Sequence, residues 1–167
     1  MRKIPLYNRD EYALVDDEDY ENLSQYSWNK ATEGYATRIE GAETIYMHRE
    51  IMRLKKGDGK YVDHKNHNRL DNRKSNLRVC SKYENQLNQK AKKRKDGSSH
   101  SKYKGVSRRS TPSVRPWRAR ITHKGKEITK YFETEIEAAQ EYNRLALKYH
   151  GEFAYINKFD EEEDRIS

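Results

Sequence analysis

Residues 90–101 form a basic and polar run that divides this chain of 167 residues into two parts. Lysine and arginine come first, from Lys90 to Lys95, and glycine and serine follow, from Gly97 to Ser101. This composition is typical of a flexible linker. Because only 33% of the chain is hydrophobic and 37% is charged, two small modules are favoured over one large core. We predict domains over residues 1–89 and 102–158, with an acidic tail over 159–167.

The positive charge of the chain is concentrated in its middle. The full chain carries a net charge of +8. Residues 86–130 hold 15 Lys and Arg against the two acids Asp96 and Glu127, a net charge of +13, which leaves −5 for the rest. A balance of this kind indicates a polyanionic partner, either nucleic acid or an anionic membrane surface. In the linker, the candidates for contacting phosphates are Lys92, Lys93 and Arg94.

Cysteine content and hydropathy exclude several classes of protein. Cys80 is the single cysteine, so an internal disulfide and an all-cysteine zinc site are excluded. No apolar run approaches the roughly 18 residues of a membrane span, and no signal-peptide pattern follows Met1. We therefore expect a soluble protein that is not secreted and has no membrane partner.

The first 60 residues alternate between short strands and short helices. Acidic residues at 16–21 favour the start of a helix, where they face the positive end of its dipole. His48 is expected to be a structural residue at a helix start rather than a ligand. The pattern predicts strands at 11–15, 35–39 and 44–47, and helices from 16 and at 48–54.

Residues 61–92 have the pattern strand, polar loop, strand and helix. Tyr61–His64 is the first strand, and residues 76–80 form the second, with Leu77 and Val79 predicted to face inward. Ser81 and Glu84 have the spacing of a capping box, which predicts a helix over 82–92.

Asp63, His64 and Asn85 have the chemistry that phosphodiester hydrolysis requires. An imidazole with a pKa near neutrality can deprotonate water. A hard divalent cation, held by oxygen ligands and water, can act as a Lewis acid on the phosphate. Asp63 and Asn85 offer a carboxylate and an amide oxygen, and neighbouring strand residues point to opposite faces, so Asp63 and His64 can serve separate roles.

These residues also resemble a known family. The segments Val62-Asp63-His64, Asp71-Asn72-Arg73, Asn76-Leu77-Arg78-Val79 and Glu84-Asn85 resemble the HNH nucleases of the ββα-metal fold, and most of all the phage homing endonucleases. The leader segment of that family is resembled by Tyr12–Asp19, Trp28, Gly34-Tyr35-Ala36 and Met47-His48-Arg49, so the resemblance covers roughly residues 5–88. The resemblance implies that His64 is the general base and that Asp63 and Asn85 bind one Mg²⁺ or Mn²⁺. It also implies that Asn76 holds the loop and orients the imidazole.

Three alternatives bear on this site. His67 stands where the family often has glycine, and a zinc site of His64, His67 and Cys80 is a competing hypothesis, although this spacing is unlike that of known zinc sites. Asn88 competes with Asn85 as a metal ligand, and we favour Asn85. Asn72 is expected only to stabilise the loop.

The second domain has a different pattern. Trp117, Ala119 and Ile121 alternate with polar residues, and the strand over 128–132 follows a turn at Lys124-Gly125. Thr134 and Glu137 form a second capping box that opens a helix over 135–150, which Gly151 ends. The predicted fold class is therefore α+β: an N-terminal ββα-metal HNH module, followed by a three-stranded antiparallel sheet packed on one helix.

This domain resembles the DNA-binding domain of plant ethylene-response factors, through residues such as Tyr103-Lys104-Gly105-Val106 and Trp117-Arg118-Ala119-Arg120-Ile121. The resemblance implies that the exposed face of the sheet enters the major groove of DNA. The inserted segment Ser110–Pro116 and Ser107 depart from the plant pattern, so base specificity cannot be transferred. The candidate DNA contacts are Arg109, Arg118, Arg120 and Thr122, with Ser107 and Lys130 less certain.

Together these patterns predict a site-specific, metal-dependent DNA endonuclease of the homing type that nicks one strand. The expected partner is double-stranded DNA, with no obligate protein partner and a monomer favoured over a dimer. The expected location is the cytoplasm of a bacterial or phage-infected cell. The alternatives are a DNA-binding regulator without catalysis and, on charge alone, an RNA-binding protein.

Overall fold

The structure, a computed structural model, describes residues 1–90 and 101–159. The chain divides into two compact units, Met1–Asn85 and Gln86–Ser167, each with its own hydrophobic core. Lys92, Lys93 and Arg94 lie outside the described residues, as do residues 160–167 of the predicted tail. Within the described part of the chain, no helix combines the length and hydropathy needed to cross a membrane.

The first unit is built from short elements that form three small antiparallel sheets, β1-β2, β3-β4-β5 and β6-β7. Trp28, Met47 and Val15 are fully buried, and Val62 and Leu77 of the third sheet pack into the same core. The elements are β1 (Arg2–Pro5), β2 (Tyr12–Val15), α1 (Asp17–Leu23), β3 (Asn29–Lys30), β4 (Ala36–Glu40), β5 (Glu43–Tyr46), α2 (Met47–Ile51), β6 (Tyr61–His64), β7 (Leu77–Cys80) and α3 (Lys82–Leu87).

Strand β2 fixes the long loop between β6 and β7. The backbone nitrogen of Leu14 donates to the carbonyl oxygen of Leu70 at 2.7 Å. The carbonyl oxygen of Leu14 accepts from the backbone nitrogen of Asn72 at 2.8 Å. The loop therefore rests on a strand that comes about 50 residues earlier in the chain.

The structure corrects the bounds of two helices in this unit, and α2 ends at Ile51 rather than at the predicted residue 54. Helix α3 ends at Leu87, although the pattern predicted a helix to residue 92. None of its residues is fully buried, so packing contributes little to extending it. Val79 pairs with Val62 and so lies on the face that carries Leu77 into the core, as predicted, but it is 40% exposed, so this part of the face is not covered. The capping box of Ser81 and Glu84 is present, as predicted.

The second unit is a three-stranded antiparallel sheet, in the order β10-β9-β8, with one helix on one face. Ala119 and Ile121 pack on Tyr142, Leu145 and Ala146 of that helix. The capping box of Thr134 and Glu137 begins the helix, as predicted. The mixed class with small antiparallel sheets is thereby confirmed. The elements are β8 (Val106–Arg108), β9 (Trp117–His123), β10 (Lys126–Phe132), α4 (Glu135–His150) and a 3-10 turn (Gly151–Phe153).

Candidate active site

Strands β6 and β7 place Asp63 and His64 on opposite faces of one hairpin. Asp63 pairs with Arg78 in the register of the strands, and His64 pairs with Leu77. Residues that pair directly across an antiparallel sheet share a face. His64 therefore lies on the face that carries Leu77 into the core, and Asp63 lies on the other face with Arg78.

Asp63 is buried and forms an ion pair with Arg78. Its Oδ2 accepts from Nε of Arg78 at 2.9 Å and from Nη2 at 2.5 Å. Each side chain is only 9% exposed, so the negative charge of Asp63 is compensated inside the unit. No role was predicted for Arg78 from the sequence, although the pairing of the two predicted strands could have indicated one.

The imidazole of His64 contacts the side chain of Asn72. Nε2 of His64 lies 3.2 Å from Oδ1 of Asn72, which is fully buried. The side-chain nitrogen of Asn72 donates to the carbonyl oxygen of Leu70 at 3.3 Å, and this bond orients the amide so that its oxygen faces the histidine. Burial lowers the pKa of His64, and the hydrogen bond to Asn72 partly opposes that shift.

Asn76 connects the two sides of the loop. Its Oδ1 accepts from the backbone nitrogen of Asn66 at 3.0 Å, and its Nδ2 donates to the carbonyl oxygen of Asp71 at 2.7 Å. These are the contacts expected of a residue that holds the loop. The side-chain contact with the imidazole of His64, which was expected from Asn76, comes from Asn72, a residue expected only to stabilise the loop.

Asp71 is a second anchor of the loop, and this role was not predicted from the sequence. Its carboxylate accepts from Nε and Nη2 of Arg73, both at 2.7 Å, and from Nδ2 of Asn66 at 2.8 Å. The hydrogen bond from Arg73 is the main reason why the pKa of Asp71 is lowered. Asp71 thus stays charged and keeps the loop closed around Asn72 at neutral pH.

His48 lies beside His64 in a cluster of aromatic rings. The centroids of the two imidazoles are 5.2 Å apart with an interplanar angle of 79°, an edge-to-face arrangement. The ring centroids of Tyr35 and Tyr46 lie 4.9 and 5.5 Å from the ring centroid of His48. Nδ1 of His48 is buried and has no hydrogen-bond partner among the described residues. These contacts are those of a packing residue at the start of α2, which agrees with the structural role predicted for His48.

The burial of His48 predicts that acid destabilises the protein. Burial, together with the nearby His64, lowers the pKa of His48 to about 3. Between pH 6.5 and that value the unfolded chain binds a proton that the folded chain does not, so stability falls as the pH falls. From pH 7 to pH 5 the expected loss from His48 is about 2 kcal/mol. Urea unfolding at both pH values measures it.

The variant His48→Phe provides the control for this prediction, because it keeps an aromatic ring and removes the titrating group. We expect a smaller difference between the stabilities at pH 7 and pH 5 in this variant. An unchanged difference would contradict the role of His48 in the acid sensitivity.

Asn85 lies on α3 and is half-buried. Among the described residues its side-chain amide makes no hydrogen bond, so its oxygen can serve as a ligand. The competing Asn88 is buried, whereas Asn85 is only half-buried. Asn85 is therefore the more accessible of the two candidates, and its role as a ligand beside Asp63 stays a prediction.

Comparison with known proteins supports the nuclease prediction. A family model described as HNH endonuclease matches residues 45–87. An uncharacterized HNH endonuclease of Acanthamoeba polyphaga mimivirus is 34% identical over 155 residues, which cover 89% of this chain and 76% of that protein. The chain belongs to the HNH endonuclease family. No solved structure matches. The enzyme class predicted from the sequence, a nuclease, is thereby confirmed.

HNH nucleases generally depend on a divalent metal ion, and the oxygen donors of this chain fit such an ion. Asp63 and Asn85 supply a carboxylate and an amide oxygen, which suit Mg²⁺ or Mn²⁺ with a water-rich shell. Within residues 1–90 and 101–159, no three His, Cys, Asp or Glu side chains are grouped to hold a metal. Cys80 fits zinc poorly, because burial raises the pKa of its thiol to about 11.

His67 adopts a backbone conformation that favours glycine. Its φ angle is +63°, in the left-handed region, and its backbone nitrogen donates to the carbonyl oxygen of His64 at 3.0 Å. Glycine adopts this left-handed turn without strain, which fits the resemblance noted for this position. In this chain a histidine takes the same turn, at a small cost in strain.

The sheet of the second unit separates the predicted DNA contacts into two groups. Arg118 lies on the exposed face, opposite Ser107 and Tyr131, and the guanidinium carbon of Arg109 is 4.9 Å from the centre of the Tyr131 ring. Arg120 and Thr122 lie further along β9 on the same face. Arg120 forms an ion pair with Glu127, at 3.2 Å, which reduces its charge available to a ligand.

Lys130 lies on the other face of the sheet. It pairs with Ala119, which is buried against α4, and its Nζ forms an ion pair with Glu141 at 2.8 Å. Arg144 and Lys130 together lower the pKa of Glu141 to about 2. The alternation of Ile128 and Phe132 with exposed residues could have indicated this placement from the sequence. Lys130 therefore lies on the helix side of the sheet, where its half-exposed side chain is paired with α4.

Proposed function

We propose that this HNH family member is a metal-dependent DNA endonuclease in which His64 is the general base. Asp63 and Asn85 hold one Mg²⁺ or Mn²⁺ ion, and Asn76 holds the loop between β6 and β7. The observation that carries the proposal is the contact between Nε2 of His64 and Oδ1 of Asn72, at the end of strand β6.

The contact with Asn72 selects the tautomer of His64. An amide oxygen can only accept a hydrogen bond, so the nitrogen that faces it carries the proton. In neutral His64 this nitrogen is Nε2, which leaves the lone pair on Nδ1. Nδ1 is therefore the atom that takes a proton from water, and Nε2 can donate to Asn72 in both charge states. Asn72 acts as the positioning residue of the base.

The metal ion supplies Lewis-acid stabilisation of the charge that develops on the phosphate. Asp63 would hold it in competition with Arg78, which balances the carboxylate by a hydrogen-bonded ion pair. Asn85 contributes a neutral oxygen, so the site keeps coordination positions for water and substrate. Asn76 and Asp71 keep the loop in place, and thereby keep Asn72 against the base.

Double-stranded DNA is the proposed substrate. The net charge of +13 in residues 86–130 suits a polyanion, and the exposed sheet face carries Arg109 and Arg118. We propose site-specific cleavage of the homing type, with the second domain acting as an ethylene-response-factor-like DNA reader. A monomer with one catalytic centre would nick one strand and leave a 5′-phosphate and a 3′-hydroxyl.

Metal dependence provides the test. With supercoiled plasmid, we expect nicked circles in Mg²⁺ or Mn²⁺ and none in EDTA. Asn85→Ala should raise the metal concentration needed for half-maximal cleavage about tenfold or more. Removing even an outer-shell partner of a metal site typically lowers metal affinity by about that factor. Asn85→Asp is the matched variant, because it keeps an oxygen ligand, and should restore cleavage at low metal. Cleavage that persists in EDTA would refute the proposed mechanism.

A further inference from the structure

Arg49 on helix α2 holds the loop that leads into strand β6. Its Nη1 donates to the carbonyl oxygen of Lys60 at 2.8 Å, and its Nη2 donates to the carbonyl oxygen of Lys55 at 2.5 Å. Nη2 also forms an ion pair with Oδ1 of Asp58 at 3.1 Å. One guanidinium group therefore joins both ends of the loop over residues 55–60 to the carboxylate in its middle.

The loop is also closed from within. Oδ1 of Asp58 accepts from the backbone nitrogen of Lys60 at 2.9 Å. This hydrogen bond is the main reason why the pKa of Asp58 is lowered, and Arg49 contributes to the same shift. The side chains of Arg49 and Asp58 are each only 23% exposed. A charged carboxylate thus stays beside the guanidinium group at neutral pH and fixes its orientation.

Helix α2 contacts both ends of the strand that carries the proposed general base. Lys60 directly precedes β6, so the carbonyl group that Arg49 holds lies three residues before Asp63. At the other end of the strand, the imidazole of His64 packs edge-to-face against His48. His48 and Arg49 are neighbours in α2, so one turn of helix fixes where the strand begins and where it ends.

We propose that Arg49 is a positioning residue for DNA cleavage, which fixes the start of β6 through the Lys60 carbonyl and thereby places Asp63 and His64. The proposal rests on the function proposed for these two residues. Both terminal nitrogens of Arg49 are bonded to the loop, so the side chain acts through the protein rather than on the substrate. A displacement of about 1 Å in the catalytic geometry can lower a rate by about 10²-fold.

The test compares the cleavage rate with DNA binding in Arg49→Gln. The rate is that of nicking of supercoiled plasmid under single-turnover conditions at saturating Mg²⁺, and binding is measured in EDTA by anisotropy of a labelled duplex. We expect cleavage to slow by about 10²-fold, because the loop loses its hold on the strand. Binding should fall no further than the loss of one positive charge explains.

Arg53→Gln is the matched control for that charge. Arg53 lies just beyond α2, is exposed and forms no ion pair with the described residues. This variant should bind DNA like Arg49→Gln and nick at the rate of the parent protein. If Arg49→Gln nicks as fast as Arg53→Gln, the inference is wrong. A loss of binding in Arg49→Gln that matches its loss of rate would also overturn it, because Arg49 would then serve binding.

Arg49→Lys separates the hydrogen bonds from the charge. Lysine keeps the positive charge but lacks the planar fork that reaches two carbonyl groups. We expect this variant to remain slow, and a full rate would show that charge suffices and would overturn the proposal. If the Arg49 variants unfold, as urea unfolding would show, Asp58→Asn decides. It removes the ion pair and keeps the oxygen that accepts from Lys60, and an unchanged cleavage rate would refute the role of the loop.

The NMR signals of His64 provide a readout that does not depend on catalysis. In the metal-free protein we expect its ring and backbone signals to shift in Arg49→Gln and to stay unchanged in Arg53→Gln. A parent protein that cuts nothing, together with this shift, would refute the endonuclease and leave the hold of Arg49 on β6 supported. A parent protein that cuts DNA, with neither signals nor rate changed in Arg49→Gln, would refute the positioning role alone.

Discussion

Replacing His64 with alanine is expected to slow DNA cleavage by about 10²- to 10⁴-fold, the usual contribution of a general base. The variant keeps Asp63 and Asn85, so it still has the proposed metal ligands and lacks only the proton acceptor. The measurement is the rate of nicking of supercoiled plasmid under single-turnover conditions in Mg²⁺. Asn72→Ala should give a smaller loss, because the base remains but its tautomer and orientation are no longer fixed.

His123→Ala is the control for this prediction. It removes a histidine from the second unit, where the ring packs on Tyr149, and should nick at the rate of the parent protein. If His64→Ala also nicks at the parent rate while it binds metal and DNA normally, His64 is not the base. A parent protein that binds DNA but never cuts it would instead favour the non-catalytic regulator.

Gly105→Ala is expected to unfold the second unit. A Cβ atom at this position would lie 2.0 and 2.2 Å from ring carbons of Tyr142 and 2.8 Å from the carbonyl oxygen of Arg120. The φ angle of +73° adds backbone strain. Tyr142 is buried between the sheet and α4, so its ring has no space into which to move. We expect a loss of about 3 kcal/mol or more, measured by urea unfolding monitored by hydrogen exchange of β8–β10.

Gly125→Ala separates the two causes. Gly125 has a φ angle of +75°, but a Cβ atom there would meet nothing within 4 Å. This variant should lose only about 1 kcal/mol, the cost of the left-handed conformation. Equal losses in the two variants would show that backbone strain, rather than the contact with Tyr142, makes glycine necessary at position 105.

The sequence predicted the elements better than it predicted the contacts. The strands β2, β4 to β7, β9 and β10, both capping boxes and the helix over 135–150 follow from local patterns, which short-range spacing and periodicity determine, whereas β1 and β3 were not predicted. The helix α3 was predicted too long, because a polar sequence that can form a helix needs packing to sustain it. Burial of Val79 was predicted from alternation, which describes the direction of a side chain but not what covers it.

At the candidate active site, Asp63 and His64 were proposed from residue type, position and the family resemblance, but the partners that the structure gives them were not predicted. Asn72 and Asp71 lie in an irregular loop, and no periodicity predicts which loop side chain points inward. Their placement depends on hydrogen bonds to Leu14, far away in sequence. Arg78 was within reach of prediction, because it directly faces Asp63 once the two strands are aligned.

The hydrogen bonds between β2 and the loop affect how this nuclease can be divided or grafted. The family match begins at residue 45, but the loop that holds Asn72 against His64 rests on Leu14, well before that point. A fragment limited to 45–87 would keep every proposed catalytic residue and lose the support beneath the loop. A designer who transfers this cutting activity to another protein should therefore move residues 1–87 together.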